Sequence, residues 1–337
     1  MMMQTARLAF LGLTFSAMVA CAGVQPAATP ALPNASLSFS AARPSSSTGQ
    51  RLFVAYHAKP NDWIGSYTTG SSPSPLVQMT DNVSKPYALY ADARGIVYSA
   101  QKGFAEYDAV TGKFLRLAIG GRPSPAPVVA PDGTIFWGLY DFPYGKMYVI
   151  PPRHKKYAYV RSIGGPQNIA LASPHSIWLY AASFLGENEY DTTLHKIRHT
   201  GVNEIFAVNG TSIYTVQGST VFVFSTKDLQ RSKRYFDVKG SAVKFAFDAA
   251  HNVYVTCING DDTGGVLAEY KAGTSKLVRS ISLGTAVPYD SAVDASGYVY
   301  VADTLADEVV IYPPGSNQRS GSIANGSEPT LVTVSPQ

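Results

Sequence analysis

The chain has 337 residues, of which only 15% are Asp, Glu, Lys or Arg, with 21 Tyr, 29 Gly, 22 Pro and a net charge of +4. That length holds two average domains or one large all-β domain, and scattered Gly and Pro with no long apolar helix after the start favour many short strands. The weak, dispersed charge excludes a nucleic-acid stripe, and the count of 2 cysteines excludes a disulfide framework.

In chain order, the first element is a leader at residues 1–20. Arg7 is its only charge, and Leu8 to Ala20 is an apolar run of signal-peptide length, too short to span a bilayer. It ends Met18-Val19-Ala20-Cys21, which resembles the bacterial lipobox, with Met18 where that motif prefers Leu. The resemblance implies lipidation at Cys21 and a membrane lipid anchor, so that the mature protein faces the periplasm or the cell surface. Ordinary signal cleavage is the alternative. Ala22 lacks the Asp that retains such proteins at an inner membrane. Residues 21–49 are rich in Pro, Ala and Ser, lack periodicity and read as a tether.

From residue 50 a short signature recurs, an aliphatic residue followed by an aromatic one. Its copies are Leu52-Phe53, Val97-Tyr98, Ile135-Phe136, Ile177-Trp178, Ile213-Tyr214, Val253-Tyr254 and Val299-Tyr300, spaced 36 to 46 residues apart. Tight-turn sequences precede most copies, as in Asp92-Ala93-Arg94-Gly95, Asp132-Gly133 and Asp294-Ala295-Ser296-Gly297. Before those turns a short apolar strand carries a small residue, Ala130, Ala207, Ala246 or Ala292. Two further strands follow each signature, such as the one ending at Tyr312. This period and order predict a β-propeller of four-stranded antiparallel blades over 50–337. Six full repeats plus one shared between the ends give seven blades, with six as the alternative if the irregular stretch 182–203 distorts the count. The orphan strand Pro329 to Val334 is expected to pair with residues 51–56 and close the ring.

The last copy, Gly297-Tyr298-Val299-Tyr300-Val301-Ala302-Asp303-Thr304 followed by Asp307 to Tyr312, resembles an NHL repeat and is similar to YVTN repeats of bacterial envelope propellers. The resemblance implies a binding or protein-interaction scaffold whose partner is a protein, a glycan or a small molecule at the mouth of the central channel. A monomer is expected. No Trp-Asp dipeptide of WD repeats occurs.

Strand order puts the second-to-third strand loops and the blade connections on one face. Tyr56, His57, Tyr140, Asp141, Asp303 and Asp307 are expected there as ligand-binding residues, with Glu187 and Glu189 in a neighbouring loop. Asn259, Asp261 and Asp262 offer oxygen ligands suited to a divalent cation such as calcium; no other cofactor is implied. Ala130 to Trp137 resembles a segment of streptogramin lyases, so a metal-dependent lactonase or lyase is the alternative function. Against it, His154 and His199 are expected at the opposite face, His175 and His251 in its inner turns, and His195 within a third strand, which leaves His57 alone on the ligand face. No catalytic residue set is identified, and no Gly-rich phosphate loop, Gly-x-Ser-x-Gly or Cys-x-x-Cys motif occurs. Cys257, inside an apolar segment, reads as a small buried hydrophobe.

Overall fold

The computed structural model describes residues 49–335 except 102, 121–126, 140–144, 153, 155, 164–165, 174–175, 182–187, 200–204, 210, 228, 230–233, 261–263 and 285–286. The leader, the tether and Cys21 therefore lie outside the described residues. Everything regular within them is β-strand. Blade 1 begins with β1 (Arg51–His57), β2 (Trp63–Thr68) and β3 (Pro75–Met79). Blade 2 holds β4 (Ala88–Ala91), β5 (Ile96–Ala100), β6 (Gly103–Asp108) and β7 (Phe114–Gly120). Blade 3 holds β8 (Val128–Val129), β9 (Ile135–Leu139), β10 (Gly145–Ile150) and β11 (Tyr159–Ile163). Blade 4 holds β12 (Pro166–Ser173), β13 (Ser176–Ala181), β14 (Asn188–Asp191) and β15 (Lys196–His199). Blade 5 holds β16 (Ile205–Asn209), β17 (Ser212–Gln217), β18 (Thr220–Ser225) and β19 (Arg234–Asp237). Blade 6 holds β20 (Ser241–Phe247), β21 (Val253–Ile258), β22 (Gly265–Tyr270) and β23 (Leu277–Ser282). Blade 7 holds β24 (Pro288–Val293), β25 (Val299–Asp303), β26 (Glu308–Tyr312) and β27 (Gly321–Ala324). The last strand, β28 (Glu328–Val334), returns to blade 1 and gives the sheet order β28-β1-β2-β3.

The fold is thus a seven-bladed β-propeller, each blade an antiparallel sheet of four strands running outward from the axis. The ring closes as expected: β28 pairs with β1 from Leu52↔Val334 to His57↔Glu328. Gln50 tightens the seam, its amide donating to the Ser335 carbonyl at 2.8 Å and its oxygen accepting from Ala295 N at 2.6 Å.

The signature has a simple mechanical origin. Successive strand residues point to opposite faces of a sheet, so neighbours in sequence serve opposite neighbours in space. In every blade the aliphatic member packs toward the preceding blade and the aromatic member toward the following one. Leu52 joins Tyr300 and Ile311 of blade 7, whereas Phe53 joins Leu89 and Val97 of blade 2. Val97 faces blade 1 and Tyr98 faces Trp137 of blade 3; Ile213 packs with Trp178 of blade 4 and Tyr214 with Val253 of blade 6. The core is therefore seven apolar wedges, one per junction. Each buried aromatic contributes about 1.5–3 kcal/mol through the area it hides from water. Cys257 belongs to the wedge between blades 5 and 6; it is 0% exposed, and burial pushes its thiol up to about 12.

The turns beneath the signature hold a second repeat. In blades 2, 6 and 7 an Asp six residues before the signature Tyr accepts that phenol: Tyr98 to Asp92 at 2.8 Å, Tyr254 to Asp248 at 3.1 Å and Tyr300 to Asp294 at 2.8 Å. The other carboxylate oxygen accepts turn amides, from Ser296 and Tyr298 in blade 7, both at 2.9 Å. His251, at φ 62°, stands where the sister turns place Gly95 and Gly297 at φ 76° and 83°.

Five expectations need correction. Asp132 is not the equivalent of Asp294: Ala130 N bonds Thr134 O as Asp294 N bonds Tyr298 O, so the turn Asp of blade 3 sits two positions later. Val128, opposite Phe136, occupies the small-residue position instead of Ala130. His195 lies in the turn between β14 and β15, not within a strand, and Glu189 lies inside β14, not in a loop. His199 ends β15, where the outer strand emerges on the loop face, and its Nδ1 is 3.2 Å from Asn188 Oδ1. It was expected on the opposite face because the stretch 182–203 hid one strand of its blade.

Candidate functional site

On the loop face the structure redistributes the predicted residues. Tyr56 is 0% exposed: its ring stacks on Trp63 at 4.2 Å and its hydroxyl lies 3.0 Å from that of Tyr67. As an inward-pointing residue of β1 it belongs to the wedge with blade 7. His57 is engaged with Asp62 at 2.6 Å across its own loop. Asp62 also accepts the amides of Lys85 at 2.5 Å and Ala58 at 3.2 Å, and so ties the loop of blade 1 to the connection entering blade 2. Burial raises the Asp62 carboxyl, but the Lys85 and Ala58 amides and His57 outweigh it and hold the group below the usual carboxylate range.

Asp303 is 5% exposed and its Oδ1 accepts from Leu305 N at 3.1 Å and Ala306 N at 3.3 Å, the work of a loop brace. Asp307 is exposed with φ 54°, at the tip of that loop. Asn259 is half-buried, and its amide closes the loop by donating to Gly264 O at 2.9 Å. Tyr140, Asp141, Glu187, Asp261 and Asp262 lie outside the described residues. Among the described residues no three of His, Cys, Asp or Glu converge as metal ligands.

The polar groups that do converge are on the axis. The inner strands adjoin one another in ring order from β8 to β28 and on to β4, and they enclose a channel cavity of about 420 Å³. Its walls are mainly apolar, with Val129, Ile169, Leu171, Val208 and Phe245 contributed by blades 3 to 6. Among the described residues two polar side chains line it, Tyr90 of β4 and Lys244 of β20. Lys244 Nζ is 2.9 Å from Asp290 Oδ1 on β24 of the next blade.

Asp290 is 3% exposed and is anchored from three sides. Besides Lys244 it accepts from Ser291 N at 2.9 Å and from Val332 N of β28 at 3.1 Å. The carboxylate is thus consumed by protein donors, whereas the Lys244 side chain stays 43% exposed, with N–H bonds to spare. Burial, and then the charge of Asp290, raises the Tyr90 phenol well above its ordinary value, so it remains a donor at neutral pH. An apolar-walled cavity with an ammonium and a phenol O–H as its polar contacts suits a small molecule that carries acceptors on an apolar body.

A local irregularity shapes this lining. Five inner strands shift register near the loop face, between Pro166 and Asn168, Ile205 and Ala207, Ala242 and Lys244, and Pro288 and Asp290, and opposite Ala55 and Tyr56 in β28. Bulges of this kind re-aim side chains next to sites. Lys244 and Asp290 both follow directly on such a shift, and both stand three residues along from the signature by register, opposite Thr256 and Ala302. The residues missed from sequence are therefore Tyr90, Lys244 and Asp290. The missed signal was an opposite-charge pair at one repeat position of consecutive, otherwise apolar inner strands, spaced as Val253 is from Val299.

No protein-family model matches the chain, and no curated protein matches it by sequence. Solved structures do match. Apo AztD from Citrobacter koseri superposes with a TM-score of 0.63 at 14% identity, covering 85% of this chain and 97% of that one. A further crystal structure of Citrobacter koseri AztD gives the same TM-score of 0.63 at 14% identity, with 85% and 97% coverage. Kuenenia stuttgartiensis hydrazine synthase matches with a TM-score of 0.54 at 14% identity, covering 69% of this chain and 77% of that one. At such identities the likeness is one of fold.

Proposed function

We propose that this chain is an envelope-attached binding module, with repeats of the NHL or YVTN type, that takes a small acceptor-bearing molecule into its axial channel. The observation that carries the reading is the Lys244 ammonium, held by a buried and otherwise satisfied Asp290 over a cavity of about 420 Å³ and joined by the Tyr90 phenol. In an apolar enclosure a hydrogen bond to a charged donor contributes about 1.5–3 kcal/mol, enough to select a ligand that presents an acceptor there. Attachment to the membrane through a lipidated Cys21 is part of the same proposal and rests on the Met18-Val19-Ala20-Cys21 sequence.

The test uses 8-anilinonaphthalene-1-sulfonate, an apolar aromatic body with one sulfonate. Isothermal titration into the protein is expected to give saturable one-to-one binding, weakened about tenfold or more in Lys244→Met. Lys244→Met leaves the buried Asp290 carboxylate its two amide donors but no cation, at a cost of about 3 kcal/mol or more, so the melting curve of the variant is recorded beside its affinity. Binding of equal affinity in wild type and Lys244→Met overturns the axial site. Turnover of a lactone that a chelator abolishes would support a metal-dependent enzyme in its place.

A further inference from the structure

The turns between the third and outer strands lie on the face opposite the loops. In five consecutive blades such a turn presents a lysine beside a large apolar side chain. Blade 2 has Lys113 with Val110, blade 3 Lys156 with Tyr157 and blade 4 Lys196 with Ile197. Blade 5 has Lys227 with Tyr235, and blade 6 has Lys271 and Lys276 with Leu277. The six lysines are exposed, and the five apolar side chains are 46–63% exposed. Among the described residues none of these lysines is in an ion pair.

The carboxylates of the same turns are half-buried and spent on turn amides. Asp108 accepts from Val110 N at 3.0 Å and Thr111 N at 2.7 Å, and Asp191 from Thr193 N at 2.8 Å and His195 N at 2.9 Å. Arginines reach across from the preceding blade and fix the turns. Arg51 Nη1 donates at 2.9 Å to Ala109 O of blade 2, Arg161 Nη1 at 2.5 Å to Leu194 O of blade 4, and Arg198 Nη2 at 2.9 Å to Thr226 O of blade 5. The strand arginines thus build a platform, and the turn lysines stand on it with their N–H groups unspent.

The rest of the surface does not share the pattern. The outer turn of blade 1, Thr69 to Ser74, carries no charge, and in blade 7 Arg319 is paired with Glu308 at 2.9 Å. On the loop face the exposed Lys59, Lys85, Lys146 and Lys239 stand among the exposed Asp81, Asp237 and Asp307. On the turn face the only exposed carboxylate among the described residues is Asp132, on an inner turn. Charge that is dispersed along the sequence is therefore gathered on one face by the topology. The chain also enters the ring on that face, at Gln50 before β1.

Lysines spread over five blades match an extended negative surface and not a pocket. The exposed Tyr157, Ile197, Tyr235 and Leu277 beside them have no use against a purely polar polyanion. At a bilayer they do, since apolar and amphipathic side chains enter the headgroup layer while lysines meet the lipid phosphates. We propose that the turn face of blades 2 to 6 docks on an anionic lipid surface and so directs the loop face away from it. This surface requires neither a ligand on the axis nor an acyl chain on Cys21.

The experiment is vesicle flotation of residues 21–337 carrying Cys21→Ser, so that neither leader nor acyl chain contributes; every strand of the ring lies within 51–334. Vesicles of phosphatidylglycerol and phosphatidylethanolamine are expected to bind the protein at least about tenfold better than phosphatidylcholine, and less at higher salt. At about fivefold per lysine, the combined Lys156→Gln, Lys196→Gln and Lys276→Gln variant is expected to bind about a hundredfold more weakly. Lys59→Gln, Lys85→Gln and Lys239→Gln together, on the loop face, are expected to leave binding unchanged. Ile197→Ser with Leu277→Ser is expected to weaken it about tenfold. All these side chains are exposed, so the melting curves are expected to coincide. No preference for anionic vesicles, equal binding by the turn-face variant, or equal loss in the loop-face variant overturns the docking face. Full binding by the Ile197→Ser, Leu277→Ser variant overturns the bilayer as its occupant.

Discussion

The carboxylate of Asp62 shows how a residue suited to ligand binding is used to build a loop. It joins His57, Ala58 and Lys85, and the amides and the imidazole hold it ionised more firmly than in the unfolded chain. A lowered folded pKa stabilises above the unfolded value of about 3.9 and loses that contribution as pH falls through the folded one. Wild type is therefore expected to unfold at higher urea than Asp62→Asn at pH 6, with the gap narrowing steadily toward pH 3. A gap that stays constant with pH would show that Asp62 acts by shape alone. At this scale the sequence was partly legible. His57 and Asp303 were located on the correct face, but one residue cannot reveal whether its polar atoms are already spent on neighbouring amides. The Asp–Tyr clasp was legible and overlooked: Asp92, Asp248 and Asp294 each precede a signature Tyr by six positions, and the blades with Phe136 or Phe53 have no such Asp.

At the scale of the element, β28 bears the most. It supplies the inner edge of blade 1, buries Leu331 at 7% and Val332 at 2% exposure, and donates Val332 N to Asp290. Two buried aliphatic residues at about 1.5–3 kcal/mol each, with the ladder bonds beside them, exceed about 4 kcal/mol. A chain ending at residue 326 is expected to melt about 10 °C or more below the full chain in a calorimetric scan. An unchanged melting temperature would contradict closure by this strand. The closure was readable because an inner strand without a blade after it and a signature without an inner strand before it can only complete one another. Blade 4 was harder. Its β14 is a strand of four residues, Asn188–Asp191, whose charges, Glu189 and Asp191, look like loop. The burial of Glu189 follows from Arg198, a partner nine positions away that no alternation pattern announces.

The whole molecule follows from the signature. Because its two residues face opposite junctions, each copy stitches its blade to both neighbours, and seven copies make a ring of seven wedges without a central apolar core. That arrangement frees the axis for a channel, and the bulged inner strands place Lys244 on its wall, held by the buried Asp290. The ring of seven was legible from the spacing of the signatures, with six blades open as the alternative until blade 4 was placed. The channel was not, since its chemistry depends on two charges that meet only when consecutive blades turn about the axis. The most direct test is a crystal structure of the protein grown with 8-anilinonaphthalene-1-sulfonate. The account predicts the probe on the propeller axis, with its sulfonate within hydrogen-bond reach of Lys244 Nζ. An empty axis with the probe bound elsewhere would contradict it.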